Sequence, residues 1–225
     1  MSTLSALLRL ARISNLPTIW SNVLAASVLA DGLSLPGLTT VLAAMSALYT
    51  GGMVLNDAFD HAFDTRMRPE RPLPSGEVAA SAAWLAGGSL LAAGVALLAT
   101  FGWESAIAGL TLAALILIYD AWHKGNPLSP VIMGACRGLV YIGTALAAGA
   151  MLSAPILAAA LALLLYVVAL TFLAKRGFTR VGALIAAISL LDAGIAAASG
   201  NATVATVCAC LFLLTLALQR VVSGT

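Results

Sequence analysis

Long apolar runs, each about the length that crosses a membrane as a helix, alternate with short polar connections along the whole sequence. We place about eight such runs, since roughly 20 residues span a hydrocarbon core. They lie near residues 15–33, 38–62, 79–101, 104–122, 130–150, 155–174, 180–199 and 202–221. Because the connections leave no room for a separate soluble domain, we predict one all-α membrane bundle over residues 1–225.

The composition supports this prediction and excludes other classes of protein. The sequence is 61% hydrophobic and 9% charged, and its mean hydropathy of +1.03 is far above that of soluble domains. The formal net charge of +2 is too small to indicate nucleic-acid binding. Membrane lipid is therefore the expected surrounding of the chain.

The distribution of the basic residues predicts an orientation. All 11 lysines and arginines fall at the ends and loops that alternate spans assign to one side. The opposite loops carry only Asp31 and Glu104. By the positive-inside rule, we expect an integral protein of the cell inner membrane, with both termini in the cytoplasm.

An acidic motif ends the second apolar run. Residues 56–64 read NDAFDHAFD, and on a helix Asn56, Asp57, Asp60 and Asp64 project from neighbouring positions of one face. At about 6 Å and an effective dielectric near 20, each pair of like charges costs roughly 3 kcal/mol. A divalent cation would offset this repulsion, and hard oxygen ligands favour Mg²⁺.

A basic, proline-rich segment follows the acids. It reads TRMRPERPLPSG over residues 65–76 and contains Arg66, Arg68 and Arg71. Because Mg²⁺ commonly bridges carboxylates to phosphate oxygens, these arginines would hold the remaining charge of a polyphosphate. The interpretation fails if internal arginines bind these acids and leave no room for metal or substrate.

The NDxxDxxxD motif and the PERPLPSG segment together resemble the first aspartate-rich motif and the following loop of the UbiA superfamily of intramembrane prenyltransferases. The resemblance implies a UbiA-like fold in which Asp57, Asp60 and Asp64 bind Mg²⁺ and act in catalysis. It also implies transfer of a prenyl group from a polyprenyl diphosphate to a small lipophilic acceptor that is aromatic or otherwise electron-rich.

Two further segments resemble elements of the superfamily. The RxxN spacing before the first run places Asn15 near the diphosphate, although Asn15 is equally suited to bonding a neighbouring helix. Tyr119 begins an element similar to YxxxK, in which Lys124 lies five residues later and His123 occupies the fourth place. Lys124 would bind the leaving diphosphate, or would only follow the charge rule.

Two charged residues near these segments have open roles. Asp120 is a candidate for supporting the metal or orienting a substrate. Arg137 lies deep enough in the fifth run to require a carboxylate or phosphate partner. It would therefore face the substrate site or pair with Asp120.

The sequence departs from the superfamily where a second aspartate-rich motif is usual. Residues 165–180 contain no acid, and Lys175 and Arg176 occupy the region instead. These cations would grip diphosphate directly. The departure leaves two alternatives open beside a prenyltransferase: a UbiA-type terpene cyclase, and a non-catalytic isoprenoid or metabolite carrier or accessory protein. Asp192 in the seventh run has either a functional role or a bonded structural role.

Overall fold

Helices account for the regular secondary structure of residues 3–222, the part of the chain that the computed structural model describes. In chain order they are α1 Thr3–Leu10, a short 3₁₀ helix Ile13–Asn15, α2 Pro17–Leu29, α3 Leu35–Met67, α4 Ala80–Ala99, α5 Trp103–Trp122, α6 Ser129–Ala147, α7 Ala154–Lys175, α8 Val181–Ala186, α9 Ile188–Ala198 and α10 Ala202–Gln219. The prediction of an all-helical bundle is confirmed.

Seven segments are long and apolar enough to cross a membrane: α3 to α7, α8 and α9 taken together, and α10. The first predicted run becomes α2, which has only 13 residues because a 3₁₀ helix and a loop occupy its ends. The prediction of about eight spans therefore agrees with the structure approximately. The second run extends further than predicted, since α3 continues to Met67 and carries the whole acidic motif.

Prolines and a serine cap define where several of these helices begin. Pro17, Pro36, Pro130 and Pro155 all lie in the first turn of a helix, where a missing N–H has no intrahelical partner to lose. At the start of α3, the Ser34 hydroxyl also accepts a hydrogen bond from the Gly37 N–H at 3.3 Å.

The short helix α2 lies in the centre of the bundle, where it packs against α3, α6, α9 and α10. Its buried residues are found all round the helix and include Thr18, Ser21, Asn22 and Ala26. Buried polar side chains of a central helix need partners on other helices. This position explains why α2 carries so many hydrogen-bonding groups.

Small residues allow the neighbouring helices to approach closely. A Cβ added to Gly87 of α4 would lie 3.1 Å from the Gly51 carbonyl oxygen of α3 and 2.6 Å from Leu55 Cγ. A Cβ added to Gly134 of α6 would lie 2.6 Å from the Leu164 carbonyl oxygen of α7. These contacts fix α3 against α4 and α6 against α7, as small residues do in membrane bundles.

Both ends of the described chain lie at the end of the bundle that carries the acidic motif. Arg9 of α1 forms an ion pair with Glu77 at 2.8 Å, just beyond the proline-rich segment. Gln219 of α10 donates a hydrogen bond to the Asn15 side-chain oxygen at 2.9 Å. The side of the membrane that this end faces remains a prediction.

Candidate active site at the end of the third helix

Arg71 lies between two buried acids of α3. Asp57 and Asp64 are seven residues apart, so they share a face of the helix, and they are only 7% and 1% exposed. The segment after α3 folds back, and Arg71 Nη1 lies 2.8 Å from Asp64 Oδ2 and 3.4 Å from Asp57 Oδ1. Leu73 anchors this segment in a small apolar cluster. One guanidinium nitrogen therefore bridges both carboxylates.

Arg12 is a second arginine in contact with Asp57. Its Nη2 donates to Asp57 Oδ1 and to Asn56 Oδ1, both at 3.2 Å. The backbone of Arg12 adopts φ 41° and ψ 49°, a left-handed conformation that is uncommon for a residue with a side chain. Arg12 was not among the predicted site residues, although its RxxN spacing with Asn15 was the signal that could have identified it.

Asp60 has a separate set of partners. Lys124 Nζ lies 2.7 Å from Asp60 Oδ1, and His123 Nε2 lies 3.5 Å from Asp60 Oδ2. The hydrogen bond to Asp60 raises the pKa of His123. The Tyr119 ring stacks on His123, with 5.1 Å between ring centroids. The YxxxK-like element thus contacts the acidic motif through Asp60.

Asp120 is joined to the motif through Asn56. It is 4% exposed, and its Oδ1 accepts a hydrogen bond from Asn56 Nδ2 at 3.0 Å. Its Oδ2 is buried and has no hydrogen-bond partner among residues 3–222. Arg137 does not pair with Asp120 and instead donates to the side-chain oxygen of Asn22 at 3.1 Å. Of the two roles left open for Arg137, pairing with Asp120 is therefore wrong.

A cavity opens beside these polar groups and extends into the bundle. Its empty volume is about 970 Å³, including its open mouth. Five of the predicted and newly found polar residues line it: Arg12, Asn15, Tyr119, Asp120 and Arg137. Most of the remaining wall is apolar and is formed by side chains such as Met45, Leu48, Leu112, Ile116, Val140, Val167, Leu170, Ile185 and Ile188. The combination suits a ligand with a polar head and an apolar chain.

Four predicted binding residues lie apart from this arrangement. The side chains of Arg66, Arg68 and Arg176 are exposed and form no hydrogen bond or ion pair with the described part of the chain. Lys175 donates to the Ser129 hydroxyl at 2.9 Å. The structure therefore gives these cations no contact with the acidic motif, because they lie on helix ends and loops that point elsewhere.

Asp57 and Asp64 carry oxygen atoms of the type that binds divalent cations, but they form a pair rather than a complete set of metal ligands. Across residues 3–222, no three acidic, histidine or cysteine side chains converge as a ready-made metal site. However, Arg71 Nη1 is a single positively charged group that contacts both carboxylates. Asp64 Oδ1 is buried and has no hydrogen-bond partner in the described chain. Hard oxygen atoms of this kind are typical ligands of Mg²⁺.

The sequence over residues 14–223 matches the model of the UbiA prenyltransferase family. The chain belongs to this family. The match covers every membrane-crossing helix and all of the candidate site except Arg12, so the resemblance first seen in residues 56–76 extends along the chain.

Relatives with named activities are similar to parts of this family member. The digeranylgeranylglyceryl phosphate synthase of Natronomonas pharaonis is 30% identical over 165 residues, which cover 72% of this chain and 59% of the relative. A synthase of the same name from Methanoregula boonei is 35% identical over 103 residues, which cover 45% of this chain and 37% of the relative. The chain thus spans between 37% and 59% of the length of these two relatives.

Solved UbiA structures share the fold. A structure described as digeranylgeranylglyceryl phosphate synthase in membranes has a TM-score of 0.65 and 19% identity, covering 98% of this chain and 88% of that one. A UbiA homologue from Archaeoglobus fulgidus, bound to DMAPP and Mg²⁺, has a TM-score of 0.63 and 18% identity, covering 96% and 86%. At this identity the likeness concerns the fold alone.

Proposed function

We propose that the protein is a Mg²⁺-dependent intramembrane prenyltransferase. It would move a prenyl group from a polyprenyl diphosphate to an aromatic or otherwise electron-rich acceptor. The observation that carries the proposal is the buried Asp57 and Asp64 pair, which is bridged by one arginine nitrogen and linked through Arg12 to a cavity with apolar walls. The named synthases among its relatives, and a homologue bound to DMAPP and Mg²⁺, support the same reaction class.

In this proposal, the acids of the motif bind the metal and the arginines beside them bind the diphosphate. Asp57 and Asp64 would hold the metal, with Asp60 as the third acid of the predicted set. When bound, Mg²⁺ would supply positive charge that stabilises the departing diphosphate. Arg12 and Arg71, which now neutralise the carboxylates, would turn to the diphosphate oxygens that arrive with the metal.

Lys124 is the cation best placed to follow a leaving group. Its side chain is 41% exposed, while its Nζ contacts Asp60 and lies 3.9 Å above the Phe63 ring. A long, half-exposed side chain can exchange one anionic partner for another at small cost. Lys124 would therefore bind the diphosphate as the bond to the prenyl carbon breaks.

The apolar part of the cavity would hold the prenyl chain. Its wall includes Leu48 and Leu112 from the core of the bundle. An allylic cation reacts with any water that reaches it, so an apolar wall protects it until the acceptor attacks. Because Arg12 lines the cavity and also contacts the acidic motif, whose end of the bundle we predict to be cytoplasmic, we propose that the donor enters from the cytoplasmic leaflet of the inner membrane.

Diphosphate release tests the proposal. The full-length protein in lipid nanodiscs would be incubated with geranyl diphosphate, Mg²⁺ and an electron-rich acceptor such as 4-hydroxybenzoate or an alkylglycerol phosphate. We expect release that stops on chelation of Mg²⁺ and a prenylated product detected by mass spectrometry. Cyclic hydrocarbon formed without any acceptor would identify a terpene cyclase instead.

One observation favours a second candidate, a non-catalytic isoprenoid carrier. Each of the motif acids already has an internal cationic partner: Arg12 and Arg71 for Asp57, Lys124 for Asp60, and Arg71 for Asp64. A site neutralised in this way can hold a phosphorylated lipid without ionising it. Saturable binding of geranyl diphosphate with no diphosphate release at any Mg²⁺ concentration would establish the carrier and exclude the enzyme.

A further inference from the structure

A further buried carboxylate lies in the bundle, away from the acidic motif. Asp192 of α9 is 0% exposed. Its Oδ2 accepts hydrogen bonds from the Ser21 hydroxyl at 2.6 Å and from Asn22 Nδ2 at 2.7 Å. Its Oδ1 accepts a hydrogen bond from the Tyr141 hydroxyl at 2.6 Å. An acid inside a membrane span is costly, so its presence there indicates a function.

Asn22 connects this carboxylate to a buried arginine. Its amide nitrogen donates to Asp192, while its amide oxygen accepts from Arg137 Nη1 at 3.1 Å. A carboxylate only accepts and a guanidinium only donates, so the amide has one orientation that satisfies both. Asn22 therefore links a negative and a positive charge that would each be expensive alone in the membrane. We call Ser21, Asn22, Tyr141 and Asp192, together with Arg137, the Asp192 network.

Arg137 presents its remaining donors to the cavity. It lines the cavity wall, and its guanidinium lies 5.8 Å from the centroid of the Tyr49 ring. Within residues 3–222 its one hydrogen bond is to Asn22, and it has no acidic partner in direct contact. Guanidinium has five N–H donors, so most of them are available to a ligand.

The position of Arg137 separates it from the acidic motif. Tyr49, beside Arg137, precedes Asn56 by seven residues, or about 10 Å along α3. The hydroxyl of Tyr49 donates to the Arg12 carbonyl oxygen at 3.3 Å, so Tyr49 lies between Arg12 and Arg137. A diphosphate held at Asp57 and Asp64 would leave Arg137 for a different anionic group.

We propose that Arg137 forms a second anion-binding subsite within the cavity, for a carboxylate or phosphate monoester carried by the acceptor. Asp192 is a positioning residue for this subsite, because it holds Asn22 and Asn22 holds the guanidinium toward the cavity. The identity of the ligand as an acceptor rests on the proposed function. The presence of an anion subsite rests on the geometry alone.

Binding measurements on the full-length protein in nanodiscs test the subsite. The two probes are 4-hydroxybenzoate, a carboxylate, and an alkylglycerol phosphate, a phosphate monoester; the probe that binds identifies the anion. We expect Arg137→Gln to weaken that binding by about tenfold to a hundredfold, as loss of a charge-assisted hydrogen bond does. The affinity for geranyl diphosphate with Mg²⁺ should change less than about twofold, and Arg180→Gln, an exposed arginine, is the matched control.

Three results would overturn the subsite. Neither probe binding to the wild-type protein would remove it. An unchanged probe affinity in Arg137→Gln would show that the guanidinium contacts no ligand. A parallel loss of geranyl diphosphate binding would assign Arg137 to the donor instead. If probe binding depends on Arg137 but no diphosphate is ever released, the proposed reaction fails while the subsite stands.

The positioning role has its own test. We expect Asp192→Asn to weaken binding of the anionic probe several-fold while geranyl diphosphate binding is retained, with Asp31→Asn at the exposed opposite end as control. If Asp192→Asn does not fold, Asn22→Ala breaks the link to Arg137 and leaves Asp192 bonded to Ser21 and Tyr141. A folded variant whose probe affinity equals that of the wild type would refute the positioning role.

Discussion

The acidic motif and the Asp192 network both bury carboxylates in an apolar bundle, but they satisfy them differently. Asp57 and Asp64 are paired with the cations Arg12 and Arg71 at the end of α3. Asp192 accepts hydrogen bonds from two hydroxyl groups and an amide, and it is linked to the cation Arg137 only through the Asn22 amide. The first arrangement joins charge to charge, whereas the second joins charge to neutral dipoles.

The difference indicates which site can exchange its partners. Arg71 belongs to a surface segment and its side chain is 18% exposed, so it can yield its place to a metal ion and then bind phosphate. Ser21, Asn22 and Tyr141 are buried in the packed centre of the bundle and cannot move away without leaving donors unpaired. The motif is thus suited to chemistry, and the Asp192 network to holding a fixed geometry.

The largest effect that would sharpen this contrast is expected for Asp64→Asn. Loss of a carboxylate from the proposed metal pair should reduce Mg²⁺-dependent diphosphate release by about a hundredfold or more, since a metal supplies several kcal/mol of charge stabilisation. The variant should still fold, because the asparagine side-chain oxygen still accepts a hydrogen bond from Arg71. Wild-type turnover in Asp64→Asn, with Asp31→Asn as the matched control, would remove the metal role from this acid.

For Asp192→Ala we expect mainly a loss of stability, in contrast to the loss of activity expected for Asp64→Asn. The substitution leaves the Ser21, Asn22 and Tyr141 donors without their acceptor, which should lower the free energy of unfolding by about 2–4 kcal/mol. Thermal unfolding in detergent, compared with Asp64→Asn, measures this cost. A smaller loss of stability for Asp192→Ala than for Asp64→Asn would reverse the assignment of roles.

The acidic motif could be predicted from the sequence because its spacing is local. Asp57, Asp60 and Asp64 all lie on one helix, and the proline-rich segment returns Arg71 to Asp57 and Asp64 within a few residues. The apolar runs likewise predicted most of the helices, since a membrane-crossing helix is a continuous run of about 20 apolar residues. These are the features that depend on short separations along the chain.

Other parts of the site depend on distant segments and could not be predicted in this way. Asn22 and Asp192 are 170 positions apart, and the sequence left the role of Asp192 open. The charges of Arg66, Arg68, Lys175 and Arg176 indicated phosphate binding, but the packing of the helix ends decides where a basic side chain points. The contacts of Arg12 with Asn56 and Asp57 join positions 44 and 45 apart, so only its RxxN spacing with Asn15 could have identified it.

Arg71→Ala tests whether a guanidinium and a metal ion are interchangeable between Asp57 and Asp64. Removing one partner of a fully buried ion pair costs about 3–5 kcal/mol, and because Arg71 is 18% exposed we expect about 2 kcal/mol without metal. Added Mg²⁺ should restore much of this stability and should stabilise Arg71→Ala more than the wild type. Equal stabilisation of both proteins, measured by thermal unfolding over a Mg²⁺ titration, would contradict the exchange.

Lys124→Ala should have the smallest effect, since Lys124 is the most exposed cation of the site. Its side chain is 41% exposed, and exposed ion pairs contribute at most about 1 kcal/mol. Asp60 would keep His123 as a partner, so the free energy of unfolding should fall by less than about 1 kcal/mol. Diphosphate release should nevertheless fall several-fold, because the departing group loses a cation that the folded state barely needs. A stability loss as large as that of Arg71→Ala would instead make Lys124 a structural partner of the motif.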